Sequence, residues 1–392
     1  MHIKNRGILY HKIDRIGITI LISSLAFACF GTIWALYLDS IVHNASYVGF
    51  LASLFTIISI LSYFLLVPII EKNNKIKLYT LSLLLYVISF ILFSELSNLY
   101  AIMILGIILA VIGSLRITCI GIIIRDNIRD DSVSKNEGLM YALFNVSWLI
   151  GPLIAGFIAD KFGLNKVFLF GAGALFLALI LFEIFKIKDN RISKKTDRNM
   201  WKLFKEFFSS KERIKAYFLA GGNNFWWALI YTYIPIYIIN NGLDDLIVGY
   251  FLAAVVAPLI ISEYYFGKLA GKIGFKKIFT MGFLSLGIIS IICFFISNIY
   301  WLLGALVLAS FSVAMIEPTT EAYFLDLIPK NKRDKFYGPF YTSIDVNIFL
   351  GTIVGAVTLL FLPLKYVFVF YGIIMFIFAI LSLTIKDIIE KK

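Results

Sequence analysis

Segments of about 20 predominantly apolar residues, each long enough to cross hydrocarbon as a helix, recur from Ile16 almost to the end of the chain. Inside hydrocarbon every backbone N–H and C=O needs a partner in its own segment, so such runs must become helices. Twelve spans fit: 16–40, 46–70, 76–94, 99–124, 138–159 and 166–186, then 213–240, 246–266, 277–297, 300–325, 336–360 and 365–386. The chain is 60% hydrophobic and 15% charged, where soluble domains average about 45–50% and about 25%. The expectation is an all-α polytopic membrane protein with both termini on one side.

Charge placement fixes that side. The formal net charge of +12 would suit a nucleic-acid surface, but the charges sort by loop parity. Of 36 Lys and Arg, 32 fall in the terminal segments and alternate loops that share a side, three (Lys161, Lys166, Lys365) fall opposite, and Arg116 lies inside a span. Basic loops stay cytoplasmic, which places both termini in the cytoplasm of a multi-pass cell membrane protein and argues against nucleic acid as partner. The stretch 186–215 alone carries eleven basic residues and no spanning run. It separates residues 1–186, an amino-terminal six-helix bundle, from 213–392, a carboxyl-terminal one, with 187–212 as a cytoplasmic basic linker. Low alanine with high isoleucine, lysine and asparagine has a prokaryotic look.

The two halves repeat. A shift of 200 residues aligns Gly49 with Gly249, Ser62 with Ser262, Asp126 with Asp326, Tyr141 with Tyr341 and Gly151 with Gly351. Ser97-Asn98-Leu99-Tyr100 meets Ser297-Asn298-Ile299-Tyr300. An even number of spans per repeat makes the halves parallel, related by an axis along the membrane normal.

Four motifs sit on this frame. Gly267-Lys-Leu-Ala-Gly271-Lys272-Ile-Gly274-Phe-Lys276-Lys277 joins spans 8 and 9; its counterpart keeps an acid, Glu71, followed by Lys72, with Asn74 where a Gly would stand. Asn tolerates the left-handed backbone, so a tight turn at 74 is expected. Asp126 and Asp326 end spans 4 and 10, the second followed by Pro329-Lys-Asn-Lys332-Arg333. Span 5 carries Gly151-Pro152-Leu-Ile-Ala155-Gly156, and span 11 Gly351-x-x-x-Gly355. Span 4 carries Arg116-Ile-Thr-Cys-Ile-Gly121.

These motifs, the twelve spans and the duplicated halves make the whole chain resemble the major facilitator superfamily of secondary transporters. The first motif resembles the family's G-x-x-x-D-R-x-G-R-R/K loop, with Gly271 departing from the Asp. The span 5 motif resembles the G-P-x-x-G-G of its proton-coupled antiporters, with Ala155 in place of a Gly, and Arg116 resembles the Arg of R-x-x-Q-G, with the Gln missing. The resemblance implies twelve transmembrane helices in two parallel pseudo-symmetric six-helix bundles. It implies alternating access, no cofactor, and a monomer that handles a small-molecule substrate and protons among membrane lipids; with His2, His11 and His43 outside the membrane core, no metal is expected. It implies gating roles for Glu71, Lys72, Asp126, Gly267, Lys272, Asp326, Gly151 and Pro152. The alternatives are a basic turn that only enforces topology, a solvated charge cluster, and helix packing through small residues.

Ionisable residues inside spans are expensive and mark function. Glu317 and Glu321 lie four apart on one helix face of span 10. The shift places Arg116 beside Glu317, and in the family spans 1, 4, 7 and 10 line the cavity, so these two form a candidate charge pair or a fixed ion pair. Asp345 in span 11 is a third proton-site candidate, and Pro318 a candidate hinge. Asp39 and Glu263 lie nearer span ends, where snorkelling explains them. Asn223, Asn224 and Trp227 on span 7 and Trp34 on span 1 offer aromatic and polar contacts to an apolar or cationic ligand, or an interfacial aromatic belt.

The expected function is proton-coupled export of an apolar or cationic small molecule. Proton-coupled uptake of a sugar or organic acid, and a non-transporting receptor or lipid-handling protein on the same scaffold, are the alternatives. No phosphate loop or H-E-x-x-H is present in the sequence, which argues against an enzyme or ATP-driven pump.

Overall fold

The computed structural model describes residues 3–127, 133–186, 200–329 and 332–388. Six helices form the first half: α1 (Ile3–Val42), α2 (Ala45–Lys72), α3 (Lys75–Glu95), α4 (Leu99–Asn127), α5 (Val133–Phe162) and α6 (Leu164–Ile184). A short helix α7 (Met200–Phe207) follows. The second half holds α8 (Lys211–Ala228), α9 (Ile234–Asn240), α10 (Asp245–Ile273), α11 (Phe275–Phe295), α12 (Ile299–Leu327), α13 (Arg333–Tyr341), α14 (Ser343–Phe361) and α15 (Val367–Leu383). Among the described residues, eleven helical stretches are long and apolar enough to cross a membrane.

The twelfth stretch, expected as one helix over 213–240, is interrupted. A π turn, Leu229–Tyr233, joins α8 to α9, and the Ile234 amide bonds back to Leu229 rather than to the residue four before it. Pro235 is the physical cause: it brings no N–H and its ring collides with the carbonyl four residues earlier, so the ladder slips by one residue. The span expected over 336–360 is likewise divided at Thr342 between α13 and α14, three residues after Pro339. Helix α12, by contrast, runs unbroken through Pro318.

The turn at Asn74 differs from its expectation. Asn74 is extended (φ −72°) and caps α3, its side chain accepting from the Lys77 amide at 3.1 Å. A capping Asn needs the extended backbone, so its side chain replaces the left-handed turn. Gly274, its equivalent before α11, takes the left-handed route at φ +94°.

Two compact units emerge from the packing. One comprises Met1–Ile41, Ile58–Lys195 and Asp244–Ala253; the other Val42–Ile57, Thr196–Leu243 and Ala254–Lys392. In the first, α3 packs along α6 and α4. Gly151 of α5 meets Ala28 of α1 so closely that a Cβ on the glycine would lie 2.5 Å from that of Ala28. In the second, α11 packs along α15 and α12, and α14 along α8. Here Gly351 meets Ala228 with a corresponding separation of 2.6 Å. Both numbers in the first contact rise by 200, so the sequence repeat is also a packing repeat.

Helix α7 lies within the stretch expected as linker. Its Leu203 and Phe207 are buried against Tyr217, Phe324, Ile328, Phe336 and Phe340 of the second unit. Glu206 on the same helix accepts from Lys335 Nζ at 2.5 Å, and the Arg213 guanidinium donates to the carbonyls of Glu206 and Phe207. The helix is therefore anchored by one apolar face and by the charged groups of Lys335 and Arg213.

Candidate functional site

The second unit holds a carboxylate with a built environment. Glu317 stands on α12, half-buried. Its Oε2 accepts from Asn223 Nδ2 at 3.0 Å and from Trp227 Nε1 at 3.3 Å. Positions 223 and 227 are one turn apart on α8, which is why one helix face presents both donors. The other carboxylate oxygen, Oε1, takes neither bond. Asn223 is only 4% exposed, and its Oδ1 meets no hydrogen-bond donor among the described residues. Trp227 stacks obliquely on Tyr231, ring centroids 5.6 Å apart, and Tyr231 sits in the π turn within the field of Glu317. The slipped ladder at Pro235 thus carries a site residue, as π turns often do. Asn224, the neighbour of Asn223, is half-buried on α8.

The other acids divide differently from their sequence spacing. Glu321 is one turn beyond Glu317, yet it and Asp345 both act on the Tyr341 phenol near the start of α14. Glu263 of α10, by contrast, lies in the field of Glu317. Sequence position alone put Glu263 with the snorkelling residues; only the helix packing brings it to the site.

In the first unit, Arg116 of α4 places its guanidinium carbon 3.8 Å from the Phe27 ring centroid and 5.8 Å from that of Tyr86. Such a cation–π contact is worth about 0.5–2 kcal/mol, rising as water is removed. Trp34 lies in an aromatic stack, its ring 4.8 Å from Phe30 and 5.3 Å from Phe93. Arg116 and Glu317 are each described within their own unit, with partners there.

Of the residues expected to gate, Gly151 and Pro152 lie on α5, Gly267 and Lys272 near the end of α10, Asp326 at the end of α12 and Lys72 at the end of α2. Two further helix-end contacts involve none of them directly or only Pro152. At the start of α2, Ser46 donates to the Ala356 carbonyl at 2.7 Å, Ser53 and Thr352 hydroxyls meet at 2.8 Å, and Tyr233 donates to the Thr352 carbonyl. At the start of α10, a Cβ on Gly249 would lie 2.9 Å from the Gly156 Cα of α5, beside the Pro152 carbonyl. These contacts are again equivalent, since 49, 352 and 356 correspond to 249, 152 and 156. Gly151 itself faces α1, where Cys29 Sγ donates to its carbonyl at 3.3 Å. At the ends of α10 and α12, Lys272 is exposed, Gly267 approaches Pro318, and Asp326 faces Arg333 at 3.9 Å, both partly exposed. Lys72 is exposed at the end of α2. The side chains of Glu71 and Asp126 lie outside the described residues.

A family profile described as Major Facilitator Superfamily matches residues 16–263 and 216–388. This chain belongs to that superfamily. It is 25% identical over 224 residues to an uncharacterized MFS-type transporter of Methanocaldococcus jannaschii (55% of this chain, 57% of that protein). It is 25% identical over 263 residues to the staphylopine export protein of Staphylococcus aureus (63% and 65%). It is 28% identical over 247 residues to the multidrug resistance protein MdtG of Proteus mirabilis (60% and 60%). The matches thus span 57% to 65% of those relatives' lengths. A solved bacterial homolog of the human lysosomal transporter Spinster superposes with a TM-score of 0.77 at 10% identity, covering 95% of this chain and 96% of that one. A POT family transporter in complex with 5-aminolevulinic acid gives 0.75 at 14% identity, covering 94% of each. Both are similar to this chain in overall fold.

Proposed function

We propose that the protein is a secondary transporter that exports a cationic small molecule from the cell in exchange for protons, with Glu317 as the group that takes either one. The observation that carries this reading is the pair of neutral donors on one carboxylate oxygen of Glu317, while the second oxygen takes neither bond. Two neutral hydrogen bonds hold the carboxylate in position without supplying a counter-charge. A cation or a proton can supply it, and the two then compete for one oxygen. The Trp227 and Tyr231 rings favour an organic cation. The names of two relatives, an export protein and a multidrug resistance protein, agree with outward movement of small molecules.

Alternating access needs a contact that forms and breaks. The α2–α14 and α5–α10 contacts serve as the gate at the outer ends of the helices, and Asp326 with Arg333 belongs to the inner one. Arg116, held over aromatic rings, stabilises the first half through its positive charge rather than by binding the substrate cation.

The test is dye flux in everted membrane vesicles with an acid lumen, using ethidium as probe. Wild type accumulates ethidium, a protonophore abolishes the accumulation, and Glu317→Gln loses it. Accumulation driven by the opposite gradient would overturn export, and full proton-driven flux in Glu317→Gln would overturn the role of Glu317.

A further inference from the structure

Glu263 has no role in the account above, yet its surroundings are those of a binding group. Helices α10 and α12 approach so that a Cβ on Gly267 would lie 4.0 Å from the Pro318 side chain. Glu263 precedes Gly267 by one turn on the same face, and Glu317 directly precedes Pro318. The two carboxylates thereby come within each other's field inside one unit. Glu263 is half-buried, and among the described residues neither acid has a Lys, Arg or His within ion-pair distance. Two like charges in apolar surroundings with no base between them are costly unless positive charge arrives from outside the protein.

A second observation narrows the chemistry. The buried Oδ1 of Asn223 has no donor among the described residues, although the same amide bonds Glu317 through Nδ2. A buried acceptor of this kind is satisfied by an N–H or O–H, which a quaternary ammonium lacks and a protonated primary amine provides. Such a head group would bridge Glu317 Oε1 and Asn223 Oδ1 with Trp227 beside it.

We infer that Glu263 and Glu317 form one two-carboxylate subsite for a dication of the diamine class, one ammonium at Glu317 and Asn223, the other at Glu263. The inference rests on Glu317 being a ligand group, as proposed above. Linking two ammonium groups by a short alkyl chain makes the second contact intramolecular, so a diamine gains over a monoamine without any new kind of bond.

Equilibrium binding to the full-length protein in lipid nanodiscs tests this, with putrescine and n-butylamine as probes. Wild type binds putrescine at least about tenfold more tightly than n-butylamine. Glu263→Gln brings the two affinities together and leaves n-butylamine binding within about twofold, while Glu317→Gln weakens both. Glu263→Asp, which keeps the charge on a side chain one methylene shorter, shifts the preference from putrescine towards the longer cadaverine. An unchanged putrescine to n-butylamine ratio in Glu263→Gln overturns the inference and leaves Glu317 standing. Unchanged amine binding in Glu317→Gln overturns the reading on which both rest. Absence of putrescine binding to wild type overturns the inference alone, since ethidium flux still decides export.

Discussion

The side-chain amide of Asn223 donates to the Glu317 carboxylate across 3.0 Å, and the Trp227 indole donates to the same oxygen. Hydrogen bonds to a charged group contribute about 1.5–3 kcal/mol. Trp227→Phe keeps an aromatic ring and removes the donor together with the five-membered ring that carries it. Both Asn223→Ala and Trp227→Phe are expected to weaken binding of a monocation by about tenfold or more, since each 1.4 kcal/mol is about a factor of ten. Combined with Glu317→Gln, neither adds its full effect, because the carboxylate they position is gone. Additive losses in a double-mutant cycle on ethidium binding would show that the three side chains act separately.

Much of this architecture was legible in the sequence, for one reason. Hydrocarbon permits only helices, so apolar run length sufficed for eleven of the twelve spans. The 200-residue repeat even foreshadowed the contacts, since Gly151 on Ala28 recurs as Gly351 on Ala228. What escaped depends on local register or on helix rotation. The π turn at Leu229–Tyr233 follows from the clash of Pro235 with a carbonyl, which an apolar pattern does not reveal. Asn74 chose a cap over a left-handed turn because its side chain reached the Lys77 amide. Glu263 joined Glu317, and Glu321 joined Asp345 around Tyr341, because rotation about a helix axis is set by packing and not by depth. Leu203 and Phe207, four apart in the basic stretch, were the available signal that α7 would dock.

The glycine contacts of the proposed outer gate should tolerate no added bulk. Gly249→Val would drive a branched side chain into the Gly156 backbone, and Gly49→Val would meet Tyr233 and Ala356 at the equivalent place. Overpacking costs about 1–3 kcal/mol, here charged against the closed contact. Both variants are expected to lose ethidium flux at least tenfold, about the effect of 1.4 kcal/mol. Gly304→Ala on α12 meets nothing within 4 Å and serves as the control, retaining wild-type flux. Normal flux in Gly249→Val would remove the α5–α10 contact from the gate.

The two equivalent contacts differ in polarity. Ser46, Ser53 and Tyr233 all bond residues of α14, whereas the α5–α10 side is a bare approach of glycine backbones. Ser53→Ala removes one hydroxyl while Thr352 Oγ1 retains backbone carbonyls of its own helix, at 3.0 Å to Ile348 and 3.1 Å to Phe349. The expected cost is therefore near the low end of about 0.5–1.5 kcal/mol. Tyr233→Phe leaves a ring of the same shape and should cost about 1 kcal/mol. Unfolding in detergent, compared with wild type, measures both; a larger loss for Ser53→Ala than for Tyr233→Phe would contradict this ordering.

Acid should release α7. The Lys335 ammonium bonded to Glu206, with Lys332 and Arg213 nearby, holds the Glu206 carboxyl below the ordinary glutamate range. A carboxyl depressed in the folded state stabilises that state above its unfolded pKa. The contribution is complete near neutrality and disappears as pH falls through the depressed value, where protonation breaks the contact with Lys335. The apolar anchor of Leu203 and Phe207 is indifferent to that change, so docking weakens without the helix being expelled outright. A nitroxide attached at Trp201→Cys, a position 81% exposed, reads the mobility of α7 directly. Mobility should rise as pH falls through the acid range in wild type. In Glu206→Gln it should start higher and stay level, because the titrating group is absent. Equal pH dependence in the two proteins would assign the acid response to a different group.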